Sequence, residues 1–348
     1  MATIKEVAEA AGVSKSTVSN VFSKKRPISK EVSERVLQIA KELNYKPNYF
    51  ARSLTMKETK IIGLKMQAEK IKFSQFHLSL LNGVLHECHE MGYQLLVNTL
   101  SQQHQPEIQN QVSIPVDGEI IMDPSYEDPR LSREAIKAMP TVIIGKPPPA
   151  YEHATSYVDN DNIGIAYEVA SSLLDNGHEN IMFLNAPRER TVSIDREAGF
   201  KWAHMDHKKE YEAGFILYHN GIDTSVDFGF NSTLEMLQQH PYITAIIVDT
   251  DKMALGVYRA AKMLSLAIPE QLSVFAFSDD SIFQSELIPP LSSVKLNAEL
   301  LGSEAAKLLI DQIDSDKKLV KKIIIPADLN YRESTSVATS KSKARSDK

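Results

Sequence analysis

Apolar residues recur at Ile4, Val7, Ala8 and Ala11, then at Val18, Val21 and Phe22, then at Val32, Val36, Leu37, Ile39, Ala40 and Leu43. Each set keeps the i, i+3, i+4 spacing of an amphipathic helix. Thr3 with Glu6 three residues later forms a capping box at the start of the first set, and Gly12 can take the positive φ that ends a helix. Ser14 offers a cap for the second set. Pro27 breaks the pattern and Ser29 restarts it, so that the third helix is carried to Asn44. Helix, glycine turn, short helix, loop and longer helix make a helix-turn-helix with its supporting helix over residues 1–46.

From Ile61 the pattern changes to short apolar runs alternating with amphipathic stretches. "KIIGLKM", "YQLLVNT", "VDGEIIMD" and "PTVIIGK" read as buried strands, separated by helical patterns such as "FHLSLLNGVLHECHEMG". The alternation resumes at "ENIMFLNAP", "FILYHN", "TAIIVDT" and "LSVFAFSDD", with "SYVDNDNIG" between the two series. Strands alternating with helices imply parallel sheets covered on both faces. The expected fold class is therefore α/β: a three-helix head followed by two doubly wound lobes. Ligands of such sheets bind beyond the carboxyl ends of the strands, which makes Asp123, Lys146, Asp161, Arg190, Arg196, Asp251 and Asp279 the candidate site residues. Carboxylates with Arg and Lys suit sugar hydroxyls at least as well as they suit hydrolysis.

Charge changes the picture more than composition does. The 348 residues are 43% hydrophobic and 24% charged, an ordinary balance, and carry a net charge of −6. Residues 1–60 hold 12 Lys or Arg against 6 Asp or Glu, whereas the remainder holds 27 against 39. A basic head on an acidic body suggests that the head meets a polyanion and the body does not. A single cysteine, Cys88, excludes an internal disulfide framework and a thiolate metal cage. The ten histidines show no metal-ligand spacing, and no phosphate loop, dinucleotide fingerprint or nucleophile elbow is present. No cofactor or metal is expected, and no catalytic residue. No apolar run approaches a membrane span and the start lacks a signal-peptide core, so a cytoplasmic, nucleoid-associated location is expected.

A recognition helix enters the major groove by its N-terminal end, so its first outward residues face base edges. Here those are Lys15 and Ser16, with Asn20 one turn on; Lys suits guanine, Asn suits adenine, and Ser suits either. Thr3, Ser14 and Ser19 are suited to phosphates. The stretch "TIKEVAEAAGVSKSTVSNVFSKKRPISKEVSERVLQIAKELNYKPNYFARSL" resembles the headpiece of the lactose-repressor (LacI/GalR) family of bacterial transcription regulators. Many members read T-V-S-R-V-L-N where this chain has Thr17-Val18-Ser19-Asn20-Val21-Phe22-Ser23, so operator preference is expected to differ at the base that Asn20 faces. The resemblance adds Thr17, Ser29, Asn48 and Ala51 to the DNA contacts. It also makes residues 47–60 a hinge helix that folds on the operator, with Leu54 at the position of a leucine that wedges into the minor groove.

"VDGEIIM", "DREAGFKWA", "MALGVYRAAKMLSLAIPEQLSVFAF" and "PPLSSVKLNAELLGSEAAKLLID" resemble the family's core, which is similar to periplasmic sugar-binding proteins. The resemblance implies that Arg196 clamps an effector, that Asp161 is an acid at the cleft, and that Phe73 and Asp251 join them. Thr250 replaces the Asn of the usual Asn-Asp pair, Ser278 stands where a ligand-gripping Asp is common, and Gly145-Lys146 replaces Asp-Arg or Asp-Trp. The core is expected over 61–337, with one lobe from 61–158 and 292–320, the other from 159–291 and 321–337, and a disordered basic tail over 338–348. The implied function is a repressor of a carbohydrate operon. It would bind a palindromic operator on double-stranded DNA as a homodimer, be switched by a sugar or sugar derivative, and have no membrane partner. A purine or phosphoprotein corepressor is the alternative effector. From another class, a cytoplasmic sugar-binding protein or sugar-modifying enzyme is the competing reading.

Overall fold

The computed structural model describes residues 2–23, 26–46, 58–66, 73–98, 116–278, 286–315 and 319–338. It divides into two compact units, Met1–Lys60 and Ile61–Lys348. In the first, helices α1 (Ile4–Ala11), α2 (Lys15–Ser23) and α3 (Lys30–Glu42) enclose Val7, Ala8, Ala11, Val18, Val21, Val36 and Ala40. The capping box at Thr3 forms, and Gly12 ends α1 with a φ of 66°. The third helix stops two residues short of its expected end: Leu43 is its C-cap and Asn44 has already turned to a φ of 53°.

The second unit holds two six-stranded sheets. Its elements run β1 (Ile61–Lys65), α4 (Gln75–Glu90), β2 (Gln94–Asn98), β3 (Gly118–Met122), α5 (Arg133–Ala138), β4 (Thr141–Ile144), β5 (Ser156–Asn160) and α6 (Asn162–Asp175). They continue with β6 (Ile181–Asn185), α7 (Thr191–Asp206), β7 (Ile216–Tyr218), α8 (Ser225–Gln239), β8 (Ala245–Val248), α9 (Asp251–Met263) and β9 (Ser273–Ala276). The chain closes with β10 (Ser292–Lys295), α10 (Ala298–Asp314), β11 (Lys322–Ile325) and β12 (Asp328–Asn330). One sheet has the order β11-β5-β4-β3-β1-β2 and the other β12-β10-β9-β8-β6-β7. All pairs are parallel except β12 with β10 at an edge.

The central strands are apolar throughout because both faces are covered. Val142 and Ile144 of β4 face the core under α4 and α10, whereas Ile143 faces Leu131 and Tyr157 on the other side. In the second sheet Ile247 packs beneath α6 and α7, and Ile246 and Val248 pack beneath α8 and α9. Each fully buried Ile or Val contributes roughly 1.5–3 kcal/mol, so an unbroken apolar run is stable only with helices on both faces. Gly83 lets α4 and α10 meet backbone to backbone: a Cβ there would sit 1.9 Å from the Glu299 carbonyl oxygen.

The lobe boundaries differ from expectation. Strand β5 runs to Asn160 within the first sheet, and β11, expected in the second lobe, pairs with β5 in the first. Strand β10, expected in the first lobe, pairs with β9 in the second. The chain thus crosses between lobes three times, after β5, β10 and β11. Asn160, only 5% exposed, holds these crossings together: its Nδ2 donates to the Leu296 carbonyl at 3.1 Å and to the Ile325 carbonyl at 2.9 Å. The second lobe also continues one residue beyond its expected end, since the Ala338 N–H donates to the Asn176 carbonyl at 2.8 Å. Replacing Asn160 by Ala leaves two buried carbonyls without their donor. The core is expected to lose roughly 1–3 kcal/mol, read as a lower urea midpoint, whereas a surface change such as Gly214→Ala stays within about 0.5 kcal/mol.

Candidate functional site

The headpiece presents its short hydroxyls at the start of α2. Ser14 Oγ accepts the Thr17 N–H at 3.1 Å and lies 2.7 Å from Ser16 Oγ and 2.9 Å from Thr17 Oγ1. Three hydroxyls therefore surround the helix N-terminus, where the helix dipole favours a negative partner. Ser14, Lys15 and Ser16 are exposed. Thr17, Ser19 and Asn20 are half-buried, so Ser19 and Asn20 project less freely than the sequence suggested; their side chains are short and neighbours shield their bases. Val18 and Val21 pin the opposite face, and Phe22 meets Tyr45 edge-on at 5.7 Å. Thr3 accepts from the Glu6 N–H, and its own N–H donates to the Glu6 carboxylate at 2.6 Å, which holds that carboxyl below its usual range. Ser29 caps α3 through the Val32 N–H at 3.4 Å. Asn48, Ala51 and Leu54 of the expected hinge, Asp279, and the tail beyond Ala338 lie outside the described residues.

In the core, residues following the strand ends of both sheets meet one another, where the sequence places the expected cleft. Asp123 follows β3 in a left-handed conformation, with a φ of 50°. Its carboxylate lies 3.1 Å from His77 Nε2 and 3.3 Å from Arg190 of the other lobe. Burial opposes its charge, but Arg190 and His77 outweigh burial and keep it well below the ordinary carboxylate range. Arg130 fixes this loop: it pairs with buried Asp128 at 2.6 Å and donates to the Asp123 and Lys65 carbonyls. The backbone adds a second set of cross-lobe links, from Tyr126 N–H to the Glu189 carbonyl at 2.7 Å and from Thr191 N–H to the Pro124 carbonyl at 3.2 Å. Lys146 pairs across the cleft with Asp195 of α7 at 3.3 Å.

Arg196, only 4% exposed, lies deeper. Its Nε donates to Asn162 Oδ1 at 3.2 Å, one terminal nitrogen meets Asp249 at 2.5 Å, and the guanidinium lies 4.5 Å from the Phe277 ring centre. Asp159, at the end of β5, accepts from the Asn160 N–H at 2.8 Å and from Asn162 Nδ2 at 3.1 Å. Burial pushes its carboxyl up to about 7, and the Asp195 charge adds to the effect.

The structure thus brings together Asp123, Lys146, Arg190 and Arg196. Asp161, expected at the cleft, is exposed and caps α6 by accepting the Gly164 N–H at 3.0 Å; Asp159, two residues earlier, is the acid that points among the cleft groups. Asp251 is buried at the start of α9, where its carboxylate accepts the Lys252 N–H at 2.7 Å. Ser278 is buried, and Phe73 is 37% exposed beside His77 at 6.5 Å between ring centres. Asp159 and Asp249 close their strands and answer to the same strand-end rule that selected the other candidates. Asp195, Asn162 and His77 lie on helices, and only the fold brings them to the cleft.

Two sequence profiles match the chain: "Bacterial regulatory proteins, lacI family" over residues 3–48 and "Periplasmic binding protein-like domain" over residues 170–335. The chain is 32% identical to the HTH-type transcriptional repressor PurR of Histophilus somni (strain 2336), covering 96% of this chain and 99% of the relative. It is also 32% identical to the ribose operon repressor of Escherichia coli (strain K12), covering 90% and 93%. Among solved structures it is similar to the lac repressor dimer bound to operator and the anti-inducer ONPF, with a TM-score of 0.80, 25% identity and coverage of 96% and 99%.

The Asp159 carboxyl sets a pH dependence. Its value of about 7 in the folded protein lies above the roughly 3.9 of an unfolded chain, so its stabilising contribution is complete below about pH 4 and is lost as pH rises through about 7. Urea midpoints of the wild type should carry a decline over that window that Asp159→Asn removes. An equal decline in the variant would assign it to other groups.

Proposed function

The chain belongs to the lacI family of bacterial regulatory proteins, and from that premise we propose that it represses a carbohydrate-utilisation operon, binding a palindromic operator as a homodimer under the control of a sugar or sugar derivative. The observation that carries the DNA half is the exposed Ser14-Lys15-Ser16 corner at the N-terminus of α2, on a unit with twice as many basic as acidic residues. Lys15, Ser16 and Asn20 read base edges, while Thr3, Ser14, Thr17, Ser19 and Ser29 hold phosphates. Asn48 and Ala51 contact the DNA from the hinge, and Leu54 wedges between base pairs. A homodimer fits a palindrome because a twofold protein repeats one headpiece on each half-site. The similar lac repressor is described as a dimer bound to operator, and another relative as a ribose operon repressor.

The effector reading rests on the cleft, where Arg196, Arg190, Lys146 and Asp123 gather at strand ends. Such a ligand switches the protein only through different affinities for two arrangements of the lobes. The protein acts by binding, in the cytoplasm, with no reaction of its own.

Fluorescence anisotropy on DNA from the regions flanking its own gene tests the DNA half. Affinity is expected to fall about tenfold or more between 50 and 200 mM salt. Lys15→Ala and Asn20→Ala should each weaken binding by roughly 1–3 kcal/mol. Weak binding that is flat with salt would refute a regulator. Leu54→Ala should reduce the bend of the bound DNA, measured by the mobility of circularly permuted fragments; an unchanged bend removes the wedge.

A further inference from the structure

Each cation that the two lobes bring to the cleft already has a carboxylate of its own: Arg190 with Asp123 at 3.3 Å, Lys146 with Asp195 at 3.3 Å, and Arg196 with Asp249 at 2.5 Å. Asp159 lies among them as a further acid, in the field of both Asp195 and Arg196, and forms no ion pair among the described residues. Positive charge among these groups is therefore matched, one carboxylate to each cation.

The Arg196–Asp249 pair is the least adjustable of the three. Arg196 is buried, bonded through Nε to Asn162 and stacked near the Phe277 ring, so its position is held from three sides together with Asp249. Asp249 is 16% exposed and follows β8, beside the loop that carries the start of α9. Any ligand group that reaches this guanidinium also meets the Asp249 carboxylate. A phosphate or carboxylate there faces a like charge, whereas a hydroxyl can donate to the carboxylate and accept from the guanidinium at once. His219, just past the end of β7, supports the same chemistry: its Nε2 is buried with no hydrogen-bond partner, and the imidazole interacts electrostatically with Asp249 and Arg190. Its Nδ1 accepts the Gly221 N–H at 3.0 Å, so in the neutral ring Nε2 carries the proton and can donate to a hydroxyl without adding charge.

We infer that Asp249 determines the effector class, making the cleft select an uncharged, hydroxyl-rich ligand and reject its phosphorylated or carboxylated counterpart. The inference rests on the reading of this cleft as the effector site.

Calorimetry on the full chain tests it with matched probes: ribose against ribose 5-phosphate, glucose against glucose 6-phosphate and glucuronate, with cellobiose and hypoxanthine added. The expected result is that at least one neutral sugar binds about tenfold or more tighter than its anionic counterpart, and that Asp249→Asn narrows the gap to about threefold or less. An anionic probe that binds as tightly as its neutral form overturns the inference, as does an unchanged gap in the folded variant or binding of hypoxanthine alone. The wild-type comparison stands by itself if the variant does not fold. A panel in which nothing binds also overturns it. Operator affinity of the same preparation, measured in parallel, shows whether the regulator reading falls with it or survives.

Discussion

The amide of Asn160 meets a constraint on which the rest of the core depends. Three strands leave one lobe for the other, and two of their backbone carbonyls, at Leu296 and Ile325, face the same small volume. Buried carbonyls without donors are costly, and an asparagine amide supplies two N–H groups from one point. With the crossings fixed side by side, the carboxyl ends of the strands in both sheets turn towards a common cleft. Polar side chains at those ends then meet one another across the lobes. The site is thus a consequence of topology before it is a consequence of side-chain identity.

Within the cleft the ion pairs fall into two energetic kinds. Asp123 with Arg190 and Lys146 with Asp195 are partly open to solvent, so screening weakens them relative to a fully buried pair. Together with the few backbone hydrogen bonds between the loops at 124–126 and 189–191 they hold the lobes in contact, but weakly enough for a small ligand to alter the balance. Arg196 and Asp249 are of the other kind. Removing one member of a buried pair leaves an uncompensated charge, so this pair behaves as part of the scaffold as well as part of the site.

Much of this was legible in the sequence where periodicity and caps act locally. The T-x-x-E box, Gly12 and most apolar positions of the first three helices are set by contacts within a few residues and formed as read; Leu37 and Leu43, counted with them, are exposed. The central apolar strands were visible because both their faces are buried, and the edge strands β2 and β7, less buried, by their short apolar runs. Strands β5, β10, β11 and β12 were not: polar residues interrupt β5, and the others depend on partners along the chain. Ser292 and Ser293 are fully buried although polar, since their hydroxyls bond to the Arg332 carbonyl and guanidinium. Hydropathy cannot register a serine whose partner is supplied some forty residues away. The same limit hid the lobe assignment, which depends on pairing and not on pattern. Asp161 illustrates a different failure: of two acids two residues apart, the one closer to the strand turns inward and the other caps the next helix, a distinction made by backbone direction alone.

The departures from the family pattern at the cleft follow one physical rule. Ser278 removes a carboxylate from the end of β9, where the resemblance leads one to expect an aspartate near Arg196. A buried guanidinium still requires a counter-charge within hydrogen-bonding reach. It finds one in Asp249, just past the end of the adjacent strand β8, while Phe277, just past β9, lies against its guanidinium. What the fold demands is a negative group beside the arginine, and neighbouring parallel strands offer near-equivalent places to put it. The choice of strand leaves the charge balance intact and changes the direction from which the carboxylate approaches. The Arg196 charge is thus matched from the end of β8 without any change in the fold.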